Sequence, residues 1–142
     1  MPLSTKLLEF ADFLRHSARS KRWKPQLALG RRGEDLAHRF LRNRGYTIVA
    51  RNYALASGEA EADLIAWHDD QLVFVEVKSR ATADYGPPDR AISLEKQHHM
   101  RRVAREYIRK TDVPPDRVRF DVVSIVFAKP PDVQLVPDAF SI

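Results

Sequence analysis

Asp63, Glu76 and Lys78 are the residues whose types and spacing could do chemistry, and that chemistry would be on phosphate esters. Glu76 and Lys78 lie in "QLVFVEVKSR", residues 71–80, where Val73, Val75 and Val77 alternate with Leu72, Phe74, Glu76 and Lys78. A strand apolar on both faces is normally a core strand. A carboxylate and an ammonium on one of its faces therefore call for partners. Asp63 stands in "EADLIAW", on the same strand face as Glu61 and Ile65. If the two segments pair as a hairpin, Asp63 can lie near Glu76. Two carboxylates in a poorly solvated place take up protons or bind a cation. Oxygen ligands without His or Cys suit Mg²⁺ or Mn²⁺, not zinc. Lys78 adds a point charge able to hold a water or to stabilise a developing oxyanion. A metal beside a lysine can activate water to attack phosphorus.

The spacing alone is loose, and on its own it favours an exposed Glu–Lys pair on an edge strand. The apolar setting shifts that balance, because a solvent-facing side would not also carry Leu72 and Phe74. Two more residues bear on the same place. Lys96 precedes Met100 by one helical turn, so it shares the buried stripe and points towards the sheet edge, or snorkels into water. Glu34 precedes Ala37 and Leu41 on the inner side of another helix. Taken by itself it is a first-turn acid favoured by the helix dipole.

These residues need elements to position them. The pattern predicts a short amphipathic helix over 4–19, with Leu7, Phe10, Ala11 and Leu14 on one stripe, and a basic linker over 20–29 broken at Pro25. A helix from Gly33 to Arg44 carries Leu36, Ala37, Phe40 and Leu41, and Gly45 ends it. Strands follow at 46–53, 61–68 and 71–79, with a hairpin turn at 68–71. Residues 80–90, with Gly86, Pro87 and Pro88, read as loop. Ser93 caps a helix to about Lys110, whose inner stripe is Met100, Val103, Ala104, Tyr107 and Ile108. Pro114 and Pro115 break the chain before the strand "VRFDVVSIVFA" and a weaker last strand, "DVQLV", at an edge. A helix between the strands of Glu76 and Asp121 permits a parallel pairing. The expected architecture is α/β, a mixed central sheet flanked by helices.

The 142 residues make one compact domain. An apolar share of 44% allows a real core and excludes a disordered tail. The absence of cysteine removes disulfides, thiolate zinc sites and a cysteine nucleophile, and fits a cytoplasmic location. No apolar run is long enough for a membrane span, and the N-terminus lacks a secretory layout. Lys and Arg exceed Asp and Glu by five, unevenly. Residues 13–33 hold no acid, and a second basic run extends from Lys96 to Lys110. Clustered positive charge suits a polyanion such as nucleic acid, although a charge run is more often a solvated surface.

Several blocks together resemble the bacterial YraN family: "GRRGEDLAHRFLRNRGYTIVARNY", "EADLIAW", "LVFVEVKSR", the Gly86 to Ile92 loop, "FDVVSIV" and "VQLVPDAF". The match runs from about Gly30 to Phe140, which sets a domain over 30–142 behind a basic extension over 1–29. That family is similar to restriction-endonuclease-like nucleases, including archaeal Holliday-junction resolvases. The resemblance implies a D…ExK active site in which Asp63 and Glu76 are metal ligands for Mg²⁺ or Mn²⁺ and Lys78 is the catalytic lysine. It also raises Glu34 from helix cap to site member. The family block reads Gly-Glu-Ile-Asp-Leu-Ile, and here Ala60 and Ala62 replace its glycine and isoleucine while both acids remain.

The expected function is a Mg²⁺-dependent endonuclease on DNA, in particular structured or branched DNA. Asp63 and Glu76 hold the metal, with the Val77 carbonyl as a candidate third ligand. Lys78 positions the attacking water, and Glu34 binds a second metal or a metal-bound water. Arg80, Lys96, Arg101 and Arg105 contact the nucleic-acid backbone without sequence preference. The alternative is a non-catalytic nucleic-acid-binding module on the same scaffold, since fold does not settle function. A partner-binding role for the 1–24 helix has little support. His98 and His99 are adjacent and diverge on a helix, so they make a poor metal pair. Resolvase-like enzymes need two active sites, which makes a homodimer attractive without deriving it.

Overall fold

The structure is a computed structural model that describes residues 24–82 and 92–142. The expected helix over 4–19 and most of the expected loop over 80–90 lie outside these residues. The chain runs through α1 (Lys24–Asn43), β1 (Thr47–Ala54), β2 (Glu61–His68), β3 (Gln71–Arg80), α2 (Leu94–Thr111), a 3₁₀ turn (Pro115–Arg117), β4 (Val118–Val126) and β5 (Asp132–Phe140).

α1 starts earlier than the periodicity predicts. Pro25 does not break it, because a proline at the start of a helix lacks only an N–H that would go unpaired there. Residues 24–29 are therefore helix and not linker. The C-terminus closes where Gly45 predicts. Gly45 takes φ +88°, and the Tyr46 N–H donates to the Leu41 carbonyl at 3.0 Å. Ser93 caps α2 as expected, its hydroxyl accepting from the Lys96 N–H at 3.1 Å.

The five strands form one sheet in the order β1-β2-β3-β4-β5. All neighbours are antiparallel except β3 and β4, which pair in parallel. α2 is the crossover that makes this possible. Side-chain alternation sends the strands' apolar residues to two cores. Leu72, Phe74, Phe120 and Val122 pack under Met100, Val103, Ala104 and Ile108 of α2. Val73, Val75, Val123 and Ile125 pack under Ala37 and Leu41 of α1. The helices thus cover opposite faces, and β3 is buried between them. Ala60 and Ala62 are both buried in the α2-side core.

α1 meets β3 at Gly33. A Cβ built there would overlap the Ser79 hydroxyl and lie 3.0 Å from the Ser79 Cβ. Gly33→Ala is expected to push α1 off β3 and cost about 1–3 kcal/mol, as overpacking of a close contact does. Urea denaturation measures this; an unchanged midpoint would mean that the contact relaxes freely.

Candidate active site

The β2–β3 ladder runs from His68↔Gln71 to Leu64↔Val75. One residue further, the hairpin opens. There the Asp63 carboxylate accepts the Val77 N–H at 2.8 Å, taking the place of a strand carbonyl. Glu76 is beside it, its side chain 12% exposed. One of its oxygens, Oε1, is 3.4 Å from the Lys96 ammonium. The other, Oε2, is buried and has no hydrogen-bond partner among the described residues.

Burial is the main cause that raises the Asp63 carboxyl above the ordinary range, opposed by the Val77 N–H and reinforced by the Glu34 charge. Burial, then the Asp63 charge, push Glu76 up to about 8, against the pull of Lys96. The pair cannot comfortably hold two negative charges without a cation. This yields a pH dependence. Without divalent cations, folded Glu76 holds a proton that the unfolded chain has already released, so stability falls as pH rises from about 4.5 to about 8. In chelator, Glu76→Gln is expected to gain about 1–3 kcal/mol at pH 9 and nothing at pH 4. Parallel urea curves at the two pH values for wild type and variant check it.

Glu34 approaches from the other face of the sheet. Its carboxylate accepts from the Asn52 amide at 3.2 Å and is 3.7 Å from the Arg51 guanidinium. It borders a cavity of about 350 Å³ walled by Gln26, Leu29 and Gly30 of α1 and by Asp63, Val77 and Ser79. The Ser79 hydroxyl is buried there without a hydrogen-bond partner among the described residues. Asp63 is thus the hinge of the arrangement, within reach of Glu34 on the α1 side and of Lys96 on the α2 side. Among the described residues no group of three or more His, Cys, Asp or Glu side chains is placed to hold a metal ion. Two carboxylates still fit Mg²⁺ or Mn²⁺, whose remaining positions go to water and phosphate.

The other expected site residues divide. Lys78 is half-buried on β3, two residues beyond Glu76 and in register with Ser124 of β4. Arg80 ends β3, and its carbonyl accepts the Phe127 N–H at 2.8 Å. Lys96, expected on the nucleic-acid backbone, contacts Glu76, because the first turn of α2 overhangs the open end of the hairpin. Arg101 is engaged inside the fold: its Nε donates to the Ser141 carbonyl at 2.7 Å and its guanidinium covers the Phe140 ring. Arg105 is exposed on α2.

A second polar cluster escaped the sequence. Asp121 is fully buried and accepts from the Tyr46 hydroxyl at 2.7 Å, from Arg119 Nε and Nη2 at 2.9 Å each and from the Asp138 N–H at 3.0 Å. Arg119 also meets the Gln71 amide oxygen at 2.9 Å and His68 Nδ1 at 3.1 Å. Tyr46 stacks on His68 at 4.2 Å between ring centres. Burial, then the Asp121 carboxylate, keep the Tyr46 hydroxyl protonated. The β4–β5 register shifts at Asp121, where its carboxylate holds the backbone of the bulge.

Residues 33–125 match the profile of uncharacterised protein family UPF0102. A UPF0102 protein of Solibacter usitatus is 48% identical over 111 residues, covering 78% of this chain and 84% of the relative. One from Rhodococcus opacus is 47% identical over 116 residues, covering 80% and 97%. One from Koribacter versatilis is 42% identical over 115 residues, covering 80% of each.

Proposed function

The chain belongs to uncharacterised protein family UPF0102, and from the residues gathered at the open end of its β2–β3 hairpin we propose that it is a metal-dependent nuclease hydrolysing phosphodiester bonds in DNA. The observation that carries this is the pairing of Asp63 with Glu76. Two carboxylates are held together out of water, and a buried oxygen of one has no partner among the described residues. A purely structural site would satisfy that oxygen.

Asp63 and Glu76 would hold Mg²⁺ or Mn²⁺. When bound, the cation supplies positive charge that offsets the carboxylates and polarises the phosphate. The Val77 N–H fixes one Asp63 oxygen and so orients the carboxylate. Lys78 holds the attacking water and meets the charge that develops on phosphate. Glu34 binds water across the cavity from Asp63. With the cation bound, Lys96 would be released from Glu76 and its ammonium would be free to meet the scissile phosphate. Contacts of this kind act on the backbone and carry no base preference.

A second reading, a non-catalytic module on the same scaffold, is favoured by one observation: Lys96 already forms an ion pair with Glu76 at 3.4 Å. Cleavage separates the two. Wild-type protein is incubated with linear, flapped and four-way-junction DNA in Mg²⁺, Mn²⁺ or chelator. Metal-dependent cutting is the expected result, and preference for the junction would make branched DNA the substrate. Binding without cutting under either metal hands the site to the second reading.

A further inference from the structure

The outer face of α2 carries a feature the site does not use. His98, Arg102, Arg105 and Arg109 recur at helical spacing, and His98, Arg105 and Arg109 are exposed. Arg102, Arg105 and Arg109 form one wall of a groove of about 370 Å³. The opposite wall is the β1–β2 loop at Leu55, Ala56 and Ser57, with buried Leu55 at its base. Glu106 is the acid that lines the groove, and Glu59 lies outside it on Arg102; each is already paired. Glu59 holds Arg102 at 2.8 Å, and Glu106 holds Lys110 at 2.9 Å. Arg105 and Arg109 have no ion-pair partner among the described residues. Here a shallow, open groove presents these two guanidinium groups, and guanidinium matches phosphate oxygens in a fork geometry.

The groove also has a direction. α2 begins over the carboxylate pair, where Lys96 contacts Glu76. Arg109 is thirteen residues further on, about 20 Å along the helix. That length is roughly six phosphates of one duplex strand at about 3.4 Å each. We propose that the Arg102–Arg105–Arg109 groove binds the phosphate backbone of the nucleic acid several nucleotides from the bond that is cut, and so aligns the strand along α2 towards Asp63 and Glu76. This rests on the nucleic-acid substrate proposed above. Arg101 is engaged with Ser141, and Arg109 joins Arg105 as the contact furthest along α2.

The test is binding measured apart from cutting. Fluorescence anisotropy with a labelled duplex of about 20 base pairs in chelator is followed over a range of salt. Arg105→Ala/Arg109→Ala is expected to weaken binding roughly tenfold to a hundredfold near 0.1 M salt. The slope of log affinity against log salt should shrink by about two, one unit per lost phosphate contact. Arg39→Ala/Arg42→Ala removes the same charge from exposed positions on α1, across the sheet, and is expected to leave the slope within half a unit. Equal effects from the two pairs would show only general attraction and overturn the groove. No effect from the α2 pair, or no salt-sensitive binding by wild type, would overturn it as well. The nuclease reading fails on different evidence. Wild type that binds through the groove but never cuts keeps the groove and loses the nuclease. An α2 variant that cuts with unchanged kcat/KM loses the groove and keeps the nuclease.

Discussion

On the proposed nuclease reading, Asp63→Asn should abolish metal-dependent cleavage, and Lys78→Ala should slow it without touching metal binding. An amide is a far weaker ligand for a hard cation than a carboxylate. Asp63→Asn is therefore expected to lose metal binding and cutting together. Its amide oxygen can still accept the Val77 N–H, so the open end of the hairpin keeps its shape. Lys78 is not a ligand. Lys78→Ala should bind metal as wild type does while cutting roughly 10²–10³-fold more slowly, the usual cost of losing one group aimed at developing charge. Calorimetric titration with Mn²⁺ and single-turnover cleavage of junction DNA distinguish these outcomes. Neither variant should weaken DNA binding much in chelator, since the backbone contacts come from other residues. If Lys78→Ala cuts as fast as wild type, the role assigned to the lysine is wrong, and Lys96 becomes the cation to examine.

The largest stability effect is expected far from that chemistry, at Asp121. Its carboxylate is fully buried and satisfies Tyr46, Arg119 and the backbone of the β5 bulge at once. Asp121→Asn removes the negative charge that pairs with Arg119, whose side chain is just 11% exposed, and turns an acceptor into a donor facing other donors. Breaking a buried pair from one side costs about 3–5 kcal/mol, much of the 5–15 kcal/mol that holds a typical domain together. Tyr46→Phe removes one hydrogen bond and keeps the ring stack on His68, so about 1 kcal/mol is expected. Urea unfolding of both variants gives the comparison. If Asp121→Asn is no more costly than Tyr46→Phe, the charge in the cluster is incidental.

Much of this molecule was legible in the sequence because the signals were local. Alternation in "QLVFVEVKSR" marked the buried strand, the hairpin turn fell at Asp69 with its positive φ, and Ser93 capped α2. The helix between β3 and β4 announced their parallel pairing. Asp63 and Glu76 could be placed together because a hairpin fixes register over a few residues. What stayed hidden depends on how elements are set against one another. Tyr46 and Asp121 are 75 positions apart, and their bond exists only because α1 ends over β4. Lys96 showed its stripe but not its partner, since helix periodicity says nothing about which strand end the helix overhangs. Arg101 and Arg105 looked alike, and only the docking of the chain end onto α2 separates them. Pro25 misled for a simpler reason: a proline reads as a break unless the helix happens to start there.

The parallel pairing of β3 with β4 also bears on the order in which the protein can assemble. The β2–β3 hairpin has the shortest loop in the sheet, so its closure costs the least chain entropy. Yet closing it brings Asp63 and Glu76 together before Lys96, which ion-pairs with Glu76 in the finished fold, has arrived. Lys96 is on the crossover, and the crossover docks only as β4 takes its place beside β3. Until then the hairpin holds the two carboxylates with only its own strands to offset them, through the Val77 N–H on Asp63 and the charge of Lys78 further along β3. The Lys96 contact is thus added only with the long-range half of the sheet, and the charges of the site couple a local hairpin to a distant crossover.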